Sequence, residues 1–291
     1  GGTPVFADVN FDTFNIDPKD VESKITSRTK AILVVSLEGL PVDLDPFMKI
    51  AKKYNLTVIE DSAQTLLGKY KGEFAGTIGH IGVYSFESKK HMTCGSEGGM
   101  LVTNDANFAM RARKFGGIGY KHMTAKAGRT HLAMATVQDP AYERFDTIGL
   151  NYRMNEISAA IGLAQLERID ELVADRCEVA SLFREAIINC EWMVAQSVPD
   201  GFVNSYYTFA IKYFGEENRG VSWKNFYERY LQKGGDGFYG ACMIPYLEPA
   251  LRGKSFNGAK LGRGHCPRAE DLQNRIMQFK TNYRDLNVAK Q

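Results

Sequence analysis

The sequence predicts an α/β fold with a mainly parallel central sheet covered by helices, followed by a smaller C-terminal α+β domain. Three observations carry that prediction. Short apolar runs alternate with helix-capping signatures through the first half of the chain. The run Ala31 to Val35 is continuously apolar, too short for a buried helix and suited to a strand inside a sheet. After a long aperiodic stretch, helical patterning resumes at Asn155 and leads into a last section with its own strand and helix.

Pro4 to Asp8 reads as a first strand. Asp17-Pro18 follows, with an acceptor suited to an N-cap and a proline suited to the first helical position, so a helix is expected through about Lys24. Lys30 to Ser36 fits a strand covered on both faces. Asp45-Pro46 repeats the capping signature, and Phe47, Ile50, Ala51 and Tyr54 keep helical spacing until Asn55. Thr57 to Glu60, Ile81 to Phe86 and Gly99 to Thr103 read as further strands, and a helix is expected from near Asp105 to about Phe115. Gly116 to Gly149 has no periodicity and is expected to be a functional loop or partly mobile. Ile157, Ile161, Ala164, Ile169 and Val173 form an apolar stripe on one long helix through about Ile187, joining the first domain to the next. From about Cys190 onward, Ser205 to Phe214 resembles a strand and Trp223 to Lys233 a helix, and a last helix is expected near Asn287 to Gln291. The expected division is a large domain over 1–154, a linking helix over 155–189 and a smaller domain over 190–291.

The 291 residues are 44% hydrophobic, enough for a sizeable core, and the formal charge of +2 is spread without a basic stripe. Neither nucleic acid nor a membrane surface is expected as a partner. No apolar run approaches a bilayer span and no leader pattern opens the sequence, so a cytoplasmic protein is expected. Cys94, Cys177, Cys190, Cys242 and Cys266 are odd in number and widely spaced, which argues against a disulfide framework or a metal site. Cys94 has no base near it in the sequence and reads as a packing residue.

Ligands of parallel sheets gather at the carboxyl ends of strands, and Asp61 and Ser85 both fall at such ends. Around them lie three clusters: Val58-Ile59-Glu60-Asp61-Ser62-Ala63-Gln64; Tyr84-Ser85-Phe86-Glu87-Ser88-Lys89-Lys90, continuing to Gly95-Ser96-Glu97-Gly98-Gly99; and Asn151-Tyr152-Arg153-Met154. Together they resemble the E-D-x-A-Q, S-F-x-x-x-K, G-x-E/D-G-G and N-Y-R-M segments of the DegT/DnrJ/EryC1/StrS family of sugar aminotransferases, in order and at matching separation. The resemblance runs from Gly2 almost to the end of the chain.

That resemblance implies a fold type I enzyme dependent on pyridoxal 5'-phosphate (PLP), moving an amino group, with glutamate as donor, to a keto group on a nucleotide-linked sugar. Lys90 is then the residue that bonds the cofactor, since an amine condenses with an aldehyde and can afterwards shuttle a proton. Asp61 is expected to pair with the pyridine nitrogen and keep it protonated. Gln64 is expected to contact the ring hydroxyl and Ser85 the phosphate. Asn151 is expected to reach the phosphate of a neighbouring subunit, which implies a homodimer with a shared active site. The plainer readings are a helix cap for Asp61, ordinary polar residues for Gln64 and Ser85, and a turn residue for Asn151.

His91 is weighed separately, because some relatives carry histidine in place of the lysine and act as PLP-dependent sugar dehydratases; here the fifth residue after Ser85 is Lys90. The dehydratase is the alternative within the fold, and a cofactor-free regulatory or interaction protein is the alternative outside it. The resemblance also implies a further N-terminal stretch carrying a phosphate loop and a ring-stacking aromatic, and a further C-terminal segment, so the chain is expected to be truncated at both ends. Tyr239 to Pro245 departs from the family's aromatic-Pro-x-His pattern and receives no substrate role.

Overall fold

The computed structural model of the chain describes residues 2–126, 128, 132–240, 243–256 and 259–290; Cys242 and Gln291 lie outside them, as do parts of the expected loop at 116–149 and of the 239–245 stretch. The first section runs α1 (Pro18–Ser23), β1 (Ala31–Val35), α2 (Leu44–Tyr54), β2 (Thr57–Asp61), β3 (Lys69–Tyr70), β4 (Glu73–Phe74), β5 (Ile81–Ser85), β6 (Gly99–Val102) and α3 (Ala106–Gly116). Then come α4 (Met134–Gln138), α5 (Glu156–Leu166), α6 (Ile169–Ile187), β7 (Met193–Ala195), β8 (Phe202–Val203), β9 (Thr208–Tyr213), α7 (Gly215–Arg219) and α8 (Trp223–Gln232). The last section holds β10 (Ser255–Phe256), β11 (Ala259–Lys260), α9 (Pro267–Arg275), β12 (Ile276–Lys280) and α10 (Leu286–Lys290).

The central sheet has the order β1-β2-β5-β6. β1 and β2 run parallel, with Val35 opposite Asp61, and β2 and β5 run parallel, with Asp61 opposite Val83. β6 is antiparallel to β5, pairing Gly99 with Ser85. The connection between these two strands contains no helix; it folds back on itself, the Phe86 amide donating to the Gly98 carbonyl, so the chain returns beside the strand it left. The sheet is therefore mainly parallel, as expected.

The second sheet, β12-β9-β7, is antiparallel. Every residue of β9 is buried, and the aromatic cluster of Phe183, Phe226, Tyr230, Phe238 and Phe279 packs about it. β8 does not join this sheet but pairs with β3, tying the later chain back to the first section. A small cluster of Phe14, Ala210, Leu272 and Ile276 makes a second tie.

Several local expectations hold. Asp17 caps α1 by accepting from the Lys19 amide, Asp105 caps α3 through Asn107 and Phe108, and Asn55 ends α2 in the left-handed conformation. Others are corrected. Pro4 to Asp8 is not a strand: the buried Asp8 carboxylate accepts from the Arg268 and Ala269 amides at the start of α9, so the segment serves as a cap for a distant helix. The N-cap position of α2 is Asp43, two residues before the expected Asp45, and its carboxylate makes no cap bond: it accepts from the Tyr70 hydroxyl, while Asp45 accepts from the Lys71 ammonium. β1 is covered on one face only. Ile32 and Val34 lie under α1 and α2, while Ala31 and Leu33 face outward, because those helices supply apolar cover to the same side.

The expected single helix from Asn155 to Ile187 is two helices. The chain leaves helical geometry at Arg168, whose φ is −114° and ψ 11°, and α6 begins anew. Ile169 and Val173 are buried against Phe86, Met92 and Cys94, whereas Ile157, Ile161 and Ala164 on α5 are exposed. The stripe read from the sequence belongs to the core only in its second half.

Candidate active site

Parallel pairing places the carboxyl ends of β1, β2 and β5 along one edge of the sheet, and three polar residues close those strands or follow them. Asp61 ends β2, Ser85 ends β5, and the turn after β1 carries Glu38. The ladder continues briefly past the strands: the Ser36 amide donates to the Asp61 carbonyl at 3.0 Å and the Ser62 amide to the Val83 carbonyl at 2.9 Å. Beyond it, Asp61 turns the chain by accepting from the Ala63 amide through Oδ1 at 3.0 Å. Its other carboxylate oxygen has no partner among the described residues.

Gln64 follows on that turn, and its Oε1 accepts from the Glu38 amide at 2.9 Å, which leaves the side-chain NH2 free to donate. The Ser85 hydroxyl oxygen accepts from the Glu87 amide at 3.3 Å, so its proton is free to donate as well. Glu60, beside Asp61, has a different role: it is buried and accepts from the Gly76, Ile78 and Gly79 amides, fixing the 76–79 turn.

Lys90 sits on the folded 86–98 connection, which is anchored below by Phe86, Met92 and Cys94 in one apolar cluster with Ile169 and Val173. The anchors are buried and Lys90 is half-buried. Its ammonium lies 4.8 Å from the centre of the Tyr207 ring. Its carbonyl accepts from Arg176 Nη2 at 3.3 Å, and Nη1 of the same guanidinium donates to the Tyr207 carbonyl at 3.0 Å and to the Thr281 hydroxyl at 3.1 Å. Arg176 is buried, and desolvation draws it down to about 10, which leaves it charged at neutral pH. It staples the lysine segment to the second sheet.

His91 is buried, with Nε2 3.0 Å from the Ser205 carbonyl. A carbonyl accepts only, so Nε2 carries the proton, and Nδ1 is left without a partner. Desolvation first, then the charges of Arg176 and Lys90, push the ring down to about 3 and keep it neutral. Cys94 is buried and burial raises its thiol, in line with a packing residue.

Asn151 stands apart. It is exposed, bridged to Gly117, and its Oδ1 accepts from Arg153 Nε at 2.9 Å; none of these bonds reaches the Lys90 cluster.

Three residues that sequence reasoning passed over complete the arrangement. Glu38 is fully buried, accepts from the Thr208 hydroxyl through Oε2, and lies in a turn with φ 60°. Burial pushes its carboxyl up to about 7, while Thr208 and the Lys90 charge pull the other way. Tyr207 and Arg176 are the others. Glu38 stands at the carboxyl end of a strand, and the rule that singled out Asp61 and Ser85 applies to it equally.

The donor set fits a phosphorylated pyridine aldehyde. A carboxylate with one open oxygen, an amide NH2 and a hydroxyl proton are uncommitted along the sheet edge, and a half-buried amine stands on the connection that leaves β5. Among the described residues no group of His, Cys, Asp and Glu side chains could hold a metal ion.

Comparison with known proteins gives a consistent picture. The model of the DegT/DnrJ/EryC1/StrS aminotransferase family matches residues 1–285. The chain is 41% identical over 187 residues to a GDP-perosamine synthase of Escherichia coli O157:H7, which is 64% of this chain and 46% of that protein. A GDP-perosamine synthase of Caulobacter vibrioides is 40% identical over 188 residues, again 64% of this chain and 46% of that one. The chain thus spans less than half the length of the curated relatives it matches. The X-ray structure of an aminotransferase from Psychrobacter cryohalolentis superposes with a TM-score of 0.85 at 29% identity, covering 100% of this chain and 74% of that one.

Proposed function

Because this chain belongs to the DegT/DnrJ/EryC1/StrS aminotransferase family, we propose that it carries the catalytic core of a PLP-dependent aminotransferase, moving an amino group from glutamate to a keto group on a nucleotide-linked sugar. The two GDP-perosamine synthases support GDP as the nucleotide and an amino sugar as the product. The observation that supports the reading is that Asp61, Gln64 and Ser85 each keep an uncommitted group of the required kind at the carboxyl edge of the sheet, with the half-buried Lys90 on the connection that leaves β5.

The chemistry PLP would supply there is that of an electron sink. The residues divide the remaining work. Lys90 would supply the amine that holds the aldehyde and, as a free amine, would move a proton at its Nζ. Asp61 would accept a hydrogen bond from the ring nitrogen through its open oxygen and so favour the protonated ring. Gln64, its carbonyl end held by the Glu38 amide, would donate to the ring oxygen, and Ser85 would donate to the phosphate. His91 takes no part in proton transfer. Its ring is buried and neutral, with the protonated nitrogen turned to a backbone carbonyl, which speaks against the dehydratase reading.

Assembly is part of the proposal. Two copies pair so that Asn151, exposed here, reaches the phosphate held by the partner. The surface around it supports pairing: Ile148 is 95% exposed and Ile157 76%, with Leu163 and Leu166 also exposed on α5. A large domain over 1–154 and a smaller one over 190–291 remain our division, supported by separate apolar clusters and qualified by the β3–β8 pairing. No described helix is long and apolar enough to cross a membrane.

The test is borohydride trapping of added PLP followed by peptide mass mapping. The adduct is expected on Lys90 and absent from Lys90→Ala. An adduct on Lys89 in the unaltered chain, or none at all, overturns the assignment.

A further inference from the structure

Two short stretches of chain, Lys90-His91 and Ser205 to Tyr207, clasp one another, and the clasp includes a contact that the chemistry above does not use. His91 Nε2 donates to the Ser205 carbonyl at 3.0 Å. The Arg176 guanidinium bridges the Lys90 carbonyl at 3.3 Å and the Tyr207 carbonyl at 3.0 Å, so one buried cation fixes the two backbones relative to each other. The Tyr207 ring then stands with its centre 4.8 Å from the Lys90 ammonium and 6.0 Å from the centre of the His91 ring.

Tyr207 is aimed by its own surroundings. Tyr206, immediately before it, has φ 47°, a left-handed conformation that an aromatic residue adopts only where its neighbours impose it. The neighbours are present: the Tyr206 amide donates to Asn204 Oδ1 at 2.7 Å, and the Thr281 hydroxyl, itself bonded by Arg176, donates to the Tyr206 carbonyl at 2.7 Å. The chain is thereby bent just before β9, and Tyr207 is left half-buried at the margin of a wholly buried strand. Its hydroxyl makes no hydrogen bond among the described residues, so what the side chain brings to the clasp is its ring.

Lys90 has a matching need. Among the described residues its ammonium makes no ion pair and no hydrogen bond, and the Tyr207 ring is the contact that places it. A cation beside an aromatic face is attracted by the ring quadrupole, which selects one arrangement of a long stem with many rotamers.

From this geometry we infer that Tyr207 is a positioning residue for Lys90: its ring is the resting surface of the free amine and keeps it at the site whenever it is not bonded. The catalytic meaning rests on Lys90 being the cofactor-bonding residue, whereas the contact itself does not. A lysine that is bonded in one stage and free in the next gains from such a surface, because an amine that wanders has to be brought back at every turnover.

The experiment uses the chain without cofactor. Its lysines are reductively methylated with isotope-labelled formaldehyde, which gives each amine NMR-visible methyl groups and leaves its positive charge. The Lys90 resonance is identified by its absence from Lys90→Arg. An amine resting on a ring face lies in the shielding field of that ring, so this resonance is expected upfield of the one from the exposed Lys89. It is expected to stay there in Tyr207→Phe and to return among the surface lysines in Tyr207→Leu. A Lys90 resonance that lies among the surface lysines in the unaltered chain overturns the inference, and that arm needs no substituted ring to fold. An upfield position that persists in Tyr207→Leu overturns it equally.

In the active protein, Tyr207→Leu is expected to lower kcat by about two- to fivefold, the size of one cation–ring attraction, and Tyr207→Phe to restore it. A Tyr207→Leu protein with the parent kcat overturns the positioning role. The methyl resonance reports on the ring and borohydride trapping on the cofactor, so a failure of this placement and a failure of the Lys90 assignment are told apart.

Discussion

Asp61 gives one carboxylate oxygen to the Ala63 amide and keeps the other open, a division that an asparagine preserves in shape but not in charge. Asp61→Asn in the active protein is expected to lower the rate by about 10²–10³-fold, the range for one preorganised electrostatic partner. Its melting temperature is expected to stay level; rate and melting temperature falling together would make Asp61 structural. Arg176 has the opposite character, with three acceptors depending on one buried cation. Arg176→Met is expected to cost about 2 kcal/mol or more in chemical denaturation, because those acceptors lose a charged donor. Glu38 and His91 set opposed pH dependences. The folded chain holds the Glu38 proton up to about 7 against an ordinary 4.5, so this contribution is full below the ordinary value and lost as pH rises through about 7. His91 is held at about 3 against 6.5, so its contribution is full above 6.5 and lost as pH falls toward about 3. Glu38→Gln is therefore expected to gain stability relative to the parent as pH rises from 5 to 8, by roughly 3 kcal/mol, and a constant difference across that span would refute it. Lys90, Asp61, Gln64 and Ser85 could be proposed from the sequence because their short motifs lie along the chain itself. Arg176 was not, since what distinguishes it is burial against partners 31, 86 and 105 positions away, which no local pattern records; Glu38 was open to the strand-end rule, but its burial against Thr208, 170 positions on, was not.

At the level of elements, what the sequence revealed was what local chemistry decides. Asp17-Pro18 and Asp105 act as caps where they stand, and β1, β2 and β5 follow the apolar runs. What stayed hidden was decided at a distance: Asp8 is claimed by α9, and the direction of β6 depends on how residues 86–98 fold back. The break between α5 and α6 is hidden for a related reason, since both halves have helix-forming sequences and only their surroundings differ. α5 is joined to the core mainly through Gly162, where a Cβ would lie 2.6 Å from Cys94 Sγ. Gly162→Ala is expected to cost about 1–3 kcal/mol by overpacking. In a Cys94→Ala background the same substitution is expected to cost close to nothing, because the added methyl then fills the space the sulfur vacates. Equal costs in both backgrounds, measured by urea unfolding, would show that the contact is slack.

The whole molecule leaves an unusual surface uncovered. α5 is apolar on all sides, yet within one chain it buries little beyond Gly162, and a monomer in water rarely carries such a patch. A second copy is expected to cover it, so Leu163→Glu should convert a dimer to a monomer in light scattering at micromolar concentration; an unaltered mass would place the pairing surface elsewhere. Two sheets share the candidate site, with Asp61 and Ser85 on the first and the lysine segment fastened to the second through Arg176. That fastening has a consequence for motion. The 86–98 connection has no regular secondary structure, and by its appearance its amides would trade hydrogen for deuterium as quickly as a surface loop. Stapled to Tyr207 and Thr281, it opens only when the β9 and β12 margin opens, so its slowest amides are expected to exchange with the buried strand β9 rather than with the exposed turns. In Arg176→Met that shared clock is broken, and the segment bearing the lysine exchanges early while β9 stays late.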